Sequence, residues 1–347
     1  MVIGGLFSTV SGVARGNLAR LTANGSLDTT FPDAAANGVV NSVAVQGDGK
    51  ILACGNFSSI AGGLQSALAR INPNGTRDTS FSPQIVGFCD AVSIQLDGKI
   101  LIGGTLNRVN GNTAGGVARL NPHGKSDTSL GITTNGVVSL IVLQRDGKVL
   151  ISGNFSNVNG QPRSRIARYN ADGTTIDTSF APFFTQTSPG TMTIAAVHLL
   201  QNGKIMVGGN FDNVSGAAKQ NIVKLDADGT VDTAFTSVCN FQATAFTEES
   251  GGRILVGGQF TTFNGVSRTG LVRVGETTGQ LDVTFVPSVN VYVSAIVIQA
   301  DAKILLAGSF TSVSNVARFG IARIAITDSA FYDLSRSGSS VTWSSIF

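Results

Sequence analysis

A thirteen-residue segment built on a glycine pair recurs along this chain, and its period restricts the possible folds more than any other feature. It reads "KILACGNFSSIAG", "KILIGGTLNRVNG", "KVLISGNFSNVNG", "KIMVGGNFDNVSG", "RILVGGQFTTFNG" and "KILLAGSFTSVSN", and a shortened copy, "MVIGGLFSTVSG", opens the chain. The second glycine falls at Gly5, Gly55, Gly104, Gly153, Gly209, Gly258 and Gly308, with successive spacings of 50, 49, 49, 56, 49 and 50 residues. A period near fifty belongs to a solenoid or a propeller, in which each unit buries its apolar face against the next.

The pattern inside each unit predicts four short antiparallel strands. An alternating run such as "VNSVAVQ" (40–46) leads through "GDGK" (47–50) into the glycine-bearing strand. Asp-Gly between alternating apolar runs signals a hairpin whose two central residues adopt positive φ. A variable loop precedes a third strand such as "ALARIN" (67–72), and a second turn leads into a fourth, "TRDTSF" (76–81). Four such strands per fifty residues match a propeller blade; a β-helix coil is shorter. The expected fold is therefore all-β, a single seven-bladed β-propeller over 1–347. Its units lie near 1–31, 40–81, 89–130, 137–180, 194–235, 243–285 and 293–331. The first unit lacks its first strand, and the strand "SSVTWSSIF" (339–347) is left over. Pairing of that strand with "MVIGGLF" would complete the first blade and remove an open sheet edge.

The Q-x-DGK-I-L-x-GG-x-F and ARL-x-x-x-G-x-x-D-T-x-F blocks resemble the delta-60 repeat family, over almost the whole chain. The departures are "EESGGR" (248–253) at one turn, and Leu106 and Leu130 at positions where the pattern has Phe. The resemblance implies a β-propeller and members that look like large secreted bacterial proteins or phage structural proteins. It supplies no catalytic residue.

Composition narrows the function classes. The net charge is +3 over 347 residues and no block of Lys or Arg stands out, so nucleic-acid binding has no electrostatic footprint. No run approaches the ~20 apolar residues of a membrane helix, and membrane insertion is not expected. The first basic residue is Arg15, which does not fit a secretory signal; either the chain folds in the cytosol or a signal precedes this numbering. Cys54, Cys89 and Cys239 show no CxxC spacing, which argues against a disulfide framework or a zinc site and for three small buried side chains.

A cation on strand three and an acid downstream recur in every unit: Arg20/Asp28, Arg70/Asp78, Arg119/Asp127, Arg168/Asp177, Lys224/Asp232, Arg273/Asp282 and Arg323/Asp328. A ring of anion-binding cations is one reading. A buried pair stapling each blade is the better one, because a ligand site rarely needs seven identical copies. "DADGTVD" (226–232) lacks the full calcium-loop pattern and reads as a hairpin turn. His123 and His198 lie far apart, Glu248 and Glu249 form the one local acid cluster, and no hydrolase, zincin or P-loop motif is present. With Trp343 and three tyrosines (Tyr169, Tyr292, Tyr332), repeated aromatic sugar platforms are disfavoured. No catalytic residue, metal or cofactor is expected.

Specificity is then expected where the units differ. The connection "APFFTQTSPGTMTI" (181–194) is the longest of its kind, and Pro182, Phe183 and Phe184 read as an exposed apolar contact for another protein chain. The expected role is a non-enzymatic structural or binding module. A virion surface component such as a phage tail, fibre or capsid-associated protein is the leading expectation, in assembly or attachment to a surface receptor. A secreted or cell-surface bacterial binding protein is the alternative, and a propeller-type hydrolase is a third.

Overall fold

The computed structural model of the chain describes residues 1–325 and the strands Phe331–Ser337 and Ser340–Ser345. Every regular element among the described residues is a β-strand. Contacts divide the chain into two compact units, Met1–Thr178 and Ser179–Phe347. The sheets of repeats one to four belong to the former and those of repeats five to seven to the latter.

Repeat two shows the plan. Val39–Val45 pairs antiparallel with Ile51–Asn56, which pairs with Leu68–Ile71. The next segment contributes a single bridge, Ile71↔Arg77, and equivalent bridges join Leu21↔Leu27, Leu120↔Ser126, Tyr169↔Ile176, Leu225↔Val231 and Val274↔Leu281. The expected fourth strand is thus one residue long. Directly after the bridge, the Asp78 carboxylate accepts the Ser80 amide at 3.0 Å, and this local turn bends the chain out of the ladder.

The turn of the first hairpin differs from the sequence expectation. In "GDGK" only Gly49 is left-handed (φ +82°), while Asp48 uses its side chain to accept the Lys50 amide. This is a type I turn closed by a left-handed glycine. The two-residue turns with both φ positive sit instead in the variable loop, as Ala61-Gly62, Asn110-Gly111 and Asn159-Gly160. They close the small hairpin Ser59–Ile60/Gly63–Leu64 and its counterparts.

The recurrent second glycine has a specific cause. The first strand of repeats two to seven is bulged near its start, at Val40/Ser42 in repeat two and Cys89/Ala91 in repeat three. The bulge pushes a carbonyl onto the neighbouring strand. A Cβ on Gly55 would stand 2.0 Å from the Val39 oxygen, and one on Gly153 2.1 Å from that of Val137. At Gly5 no such carbonyl stands nearby; the closest atoms belong to Phe7.

The preceding position packs against the next repeat. A Cβ on Gly103 would lie 2.8 Å from Val138 Cγ1, and one on Gly257 2.7 Å from Val293 Cγ1. Between repeats two and three, cysteines occupy this contact, and Cys54 and Cys89 form a disulfide. The expectation of three unbonded cysteines is therefore corrected: sequence spacing of 35 residues conceals a pair that the repeat period brings face to face. Cys239 alone is a free, buried thiol.

Cores are shared between consecutive repeats. One joins Leu52, Leu68 and Phe81 of repeat two to Ile100, Ile102 and Leu120 of repeat three. Another joins Phe235 of repeat five to Phe246, Phe260 and Val272 of repeat six. No repeat encloses its apolar face alone.

The C-terminal strand does not pair with the N-terminus. Ser340–Ser345 pairs with Phe331–Ser337, which pairs with Ile321–Ile324, extending the seventh sheet to five strands. Val2–Gly4 pairs with Leu18–Arg20 in a two-stranded sheet. A hairpin on the adjacent edge closes a short loop, whereas the expected pairing would close nearly the whole chain, at greater entropic cost.

The bulge predicts an asymmetry between two chemically identical substitutions. Gly55→Ala should destabilise the fold by about 2–3 kcal/mol through overpacking, and Gly5→Ala by less than about 1 kcal/mol. Urea denaturation of both variants beside the parent checks it.

Candidate functional site

The repeated charged residues are brought together in pairs that are buried or partly buried. Arg70 Nε donates to Asp78 Oδ2 at 2.9 Å, and Arg70 and Asp78 are 6% and 7% exposed. Equivalent contacts join Arg20–Asp28, Arg119–Asp127, Arg168–Asp177, Lys224–Asp232 and Arg273–Asp282 at 2.7–3.0 Å. Asp328 lies outside the described residues; Arg323 contacts Gln299 and Asp301.

Each pair belongs to a larger network. The lysine of the "DGK" turn is a third member: Lys50 reaches Asp78 at 3.0 Å, Lys99 reaches Asp127 at 3.1 Å, and Lys148 and Lys204 reach Asp177 and Asp232 at 2.8 Å. The guanidinium also leaves its own repeat. Arg20 Nη1 donates to the Pro73 carbonyl at 2.5 Å and Arg70 Nη1 to that of Pro122 at 2.6 Å. The buried phenylalanine of the Asp-Thr/Val-x-Phe block lies beneath the cation, at 4.5 Å for Arg70 over Phe81 and 4.6 Å for Arg273 over Phe285. Sequence reading found the pairs but missed the lysines, although their recurrence was visible. It also missed Asn37, Asn135, Asn240 and Asn290, each accepting two amides of the following hairpin; Asn37 takes those of Ser58 and Ser59 at 2.9 and 3.0 Å.

Electrostatics follow from these contacts. Burial would raise the Asp78 carboxyl, yet hydrogen bonds from Ser80, Lys50 and Arg70 hold it far below the usual carboxylate range. Burial likewise opposes Lys204 and Lys224 at Asp232, which settles at about 2. The Thr284 hydroxyl leads the contacts that hold Asp282 at about 2. Cations holding such buried carboxylates have their donors engaged in the fold, which makes an anion-binding ring a poor description of them.

The structure separates the three residues of the long connection. Phe183 is 59% exposed, but Phe184 is 1% exposed and Pro182 is buried. Phe184 forms a short strand with Thr185 against Asn213–Val214 and meets the Phe211 ring edge-to-face at 5.0 Å. It fills the core position that Ile85 and Cys239 fill elsewhere, so the expectation of an exposed Pro182–Phe184 patch holds for Phe183 alone. Asp212 ties the inserted residues down, accepting the Thr187 and Ser188 amides at 2.8 and 3.0 Å. Asn210 donates to the Thr191 carbonyl at 2.8 Å.

Other candidates are dispersed. His123 is exposed in a turn of repeat three. His198 is largely enclosed, which pushes its imidazole pKa down against the opposing pull of Glu248. Glu249 is buried, which raises its carboxyl, with Arg253 and Arg273 at 3.5 and 3.9 Å. In "DADGTVD", Asp228 caps the Thr230 amide and Asp226 pairs with Lys204 at 2.9 Å. Among the described residues no group of three His, Cys, Asp or Glu side chains is gathered as for a metal.

Repeated three-stranded sheets, with cores and charge contacts shared between neighbouring repeats inside each unit, define a β-propeller repeat protein. The matching family model is a domain of unknown function (DUF5122) β-propeller, found at residues 1–31, 46–81, 95–130, 144–180, 200–235, 250–285 and 299–325. The chain belongs to this family. No curated protein matches it. Among solved structures, the WD40 β-propeller domain of Doa1 is similar at 12% identity and a TM-score of 0.52, covering 84% of this chain and 90% of that one. A streptogramin B lyase is similar at 15% identity and a TM-score of 0.46, covering 91% and 93%. The extracellular domain of a putative hybrid two-component system from B. thetaiotaomicron is similar at 14% identity and a TM-score of 0.49; the match covers 91% of this chain and 35% of that one. These likenesses concern the fold.

Two predictions follow from the site. Phe184→Ala should cost about 3–5 kcal/mol, while Phe183→Ser stays within about 0.5 kcal/mol, as read by thermal unfolding. The second concerns acid. Asp232 and Asp282 titrate near 2 when folded and near 3.9 when unfolded, so their stabilisation is complete above about pH 4 and is lost as pH falls through about 2. The urea midpoint should hold from pH 7 to 5 and drop between pH 4 and 2. Asp232→Asn should start lower and drop less steeply.

Proposed function

We propose that this chain is a secreted or cell-surface bacterial binding scaffold, non-enzymatic, that folds in an oxidising compartment and engages a protein partner or receptor through its variable edges. The carrying observation is the Cys54–Cys89 disulfide, both of whose residues are 0% exposed. An oxidant cannot reach two enclosed thiols after the repeats have packed, so the bond forms as the chain folds. Disulfides form and persist outside the reducing cytosol. A loop of 35 residues closed in this way contributes about 4 kcal/mol in the chain-entropy account.

The binding role rests on the division between a repeated scaffold and one irregular edge. Paired charges and buried phenylalanines are consumed in joining repeats, whereas Phe183 projects from a connection fastened by Asp212 and Asn210. Such a loop is preorganised and loses little freedom on docking. The resemblance to delta-60 repeats, whose members look like secreted bacterial proteins, agrees with this reading. A virion surface component meets an oxidising exterior only after release, which suits an enclosed bridge less well.

Alkylation of unreduced, denatured protein from its native host tests the proposal. One modified cysteine, Cys239, and a linked peptide pair carrying Cys54 and Cys89 are expected, from an extracytoplasmic fraction. Three modified cysteines, or confinement to the cytosol, would overturn it.

A further inference from the structure

Repeat three departs from its neighbours at a place that leaves space. In repeats one, two, four, five and six the Asp-Thr/Val-x-Phe block ends in a fully buried ring, at Phe31, Phe81, Phe180, Phe235 and Phe285, each 0–1% exposed. Leu130 stands there in repeat three and is only partly buried. Beside it lies a cavity of about 300 Å³, walled by Val109, Ala114, Val117 and Ile132 and floored by the Arg119–Asp127 pair. A second cavity, of about 350 Å³, is lined by Ser80, Ser82, Asn110, His123 and Lys125. Asn112, Ser126 and Thr128 line both, so the two spaces share one wall. Each volume lies at the lower end of the range for small-molecule sites.

The lining is chemically divided. The first cavity has an aliphatic side beside its charge pair, and the adjoining one carries hydroxyls, amides and two bases. Asp127, the one carboxylate present, is already held by Arg119 at 2.8 Å and Lys99 at 3.1 Å. Lys125 makes no ion pair among the described residues and extends from an exposed turn. Asn110 is fixed in place: its Oδ1 accepts the Gln84 amide at 2.8 Å, and its Nδ2 donates to the Gly124 carbonyl at 2.9 Å and Ser126 Oγ at 3.2 Å. The wall is therefore ordered, while the Ser82 and Thr128 hydroxyls and the Lys125 ammonium remain available to a ligand.

We infer that this paired cavity binds a small acidic carbohydrate of the uronic-acid class. Its carboxylate would meet Lys125, its hydroxyls Ser82, Thr128 and Asn112, and its less polar ring face Leu130 and Ile132. A neutral sugar forgoes the charge contact, and a simple carboxylate forgoes the hydroxyl and aliphatic ones. The site belongs to the unit Met1–Thr178 and Phe183 to the other, and the inference does not depend on the partner proposed for Phe183.

Calorimetric titration of the full chain with glucuronate, glucose and acetate tests the inference. Saturable glucuronate binding is expected, at least tenfold tighter than either comparator. Lys125→Ala should weaken it about tenfold without changing the melting temperature. Leu130→Phe, which restores the ring found in the neighbouring repeats, should abolish it while keeping the fold. Absence of saturable glucuronate binding, equal affinity for acetate, or undiminished binding by Leu130→Phe would overturn the inference.

Discussion

The carboxylate at the end of each third-strand turn is the contact on which the rest of this architecture depends. In repeat two, Asp78 receives Arg70 and Lys50 on one oxygen and Ser80 on the other, which fixes three segments distant in sequence. Its arginine then has one arm left, and that arm holds the backbone of the next repeat at Pro122. A local turn and a junction between repeats are thereby set by the same group. Loss of one partner from such a buried cluster leaves the others uncompensated, so the network is sensitive as a whole.

Period and chemistry were legible because both are written once per repeat. The seven glycine pairs locate the second strand, and the Arg/Asp recurrence is realised in the six pairs whose residues are described. What escaped was geometry that periodicity does not encode. A bulge leaves no letter of its own at Asn41 or Asp90; its trace is the glycine opposite, Gly55 or Gly104. The fourth strand was overestimated because "TRDTSF" carries strand-forming residues, while Asp78 uses its side chain to end the pairing. Phe183 and Phe184 are adjacent letters of which only the second enters the two-residue strand, and the register that buries it lies in Val214, thirty residues on.

The cysteine pair escaped for a related reason. Cys54 sits at a position filled elsewhere by Gly, Ser or Ala and Cys89 at one filled by Val, Ile or Ala, and only the packing of neighbouring repeats shows that these columns touch. The junctions thus share one mould with different fillings: a glycine beneath a valine, or two sulfurs. Variation of that kind leaves the backbone plan unchanged while altering how firmly one repeat holds the next.

That firmness has a mechanical side. A bond between Cys54 and Cys89 removes the intervening 35 residues from the length that a pulled chain can release. At roughly 3.4 Å per extended residue, about 120 Å of contour is withheld. A tether carrying load through these repeats would lengthen in steps as its sheets give way, and the step containing repeat two would fall short of its neighbours until the bridge is reduced.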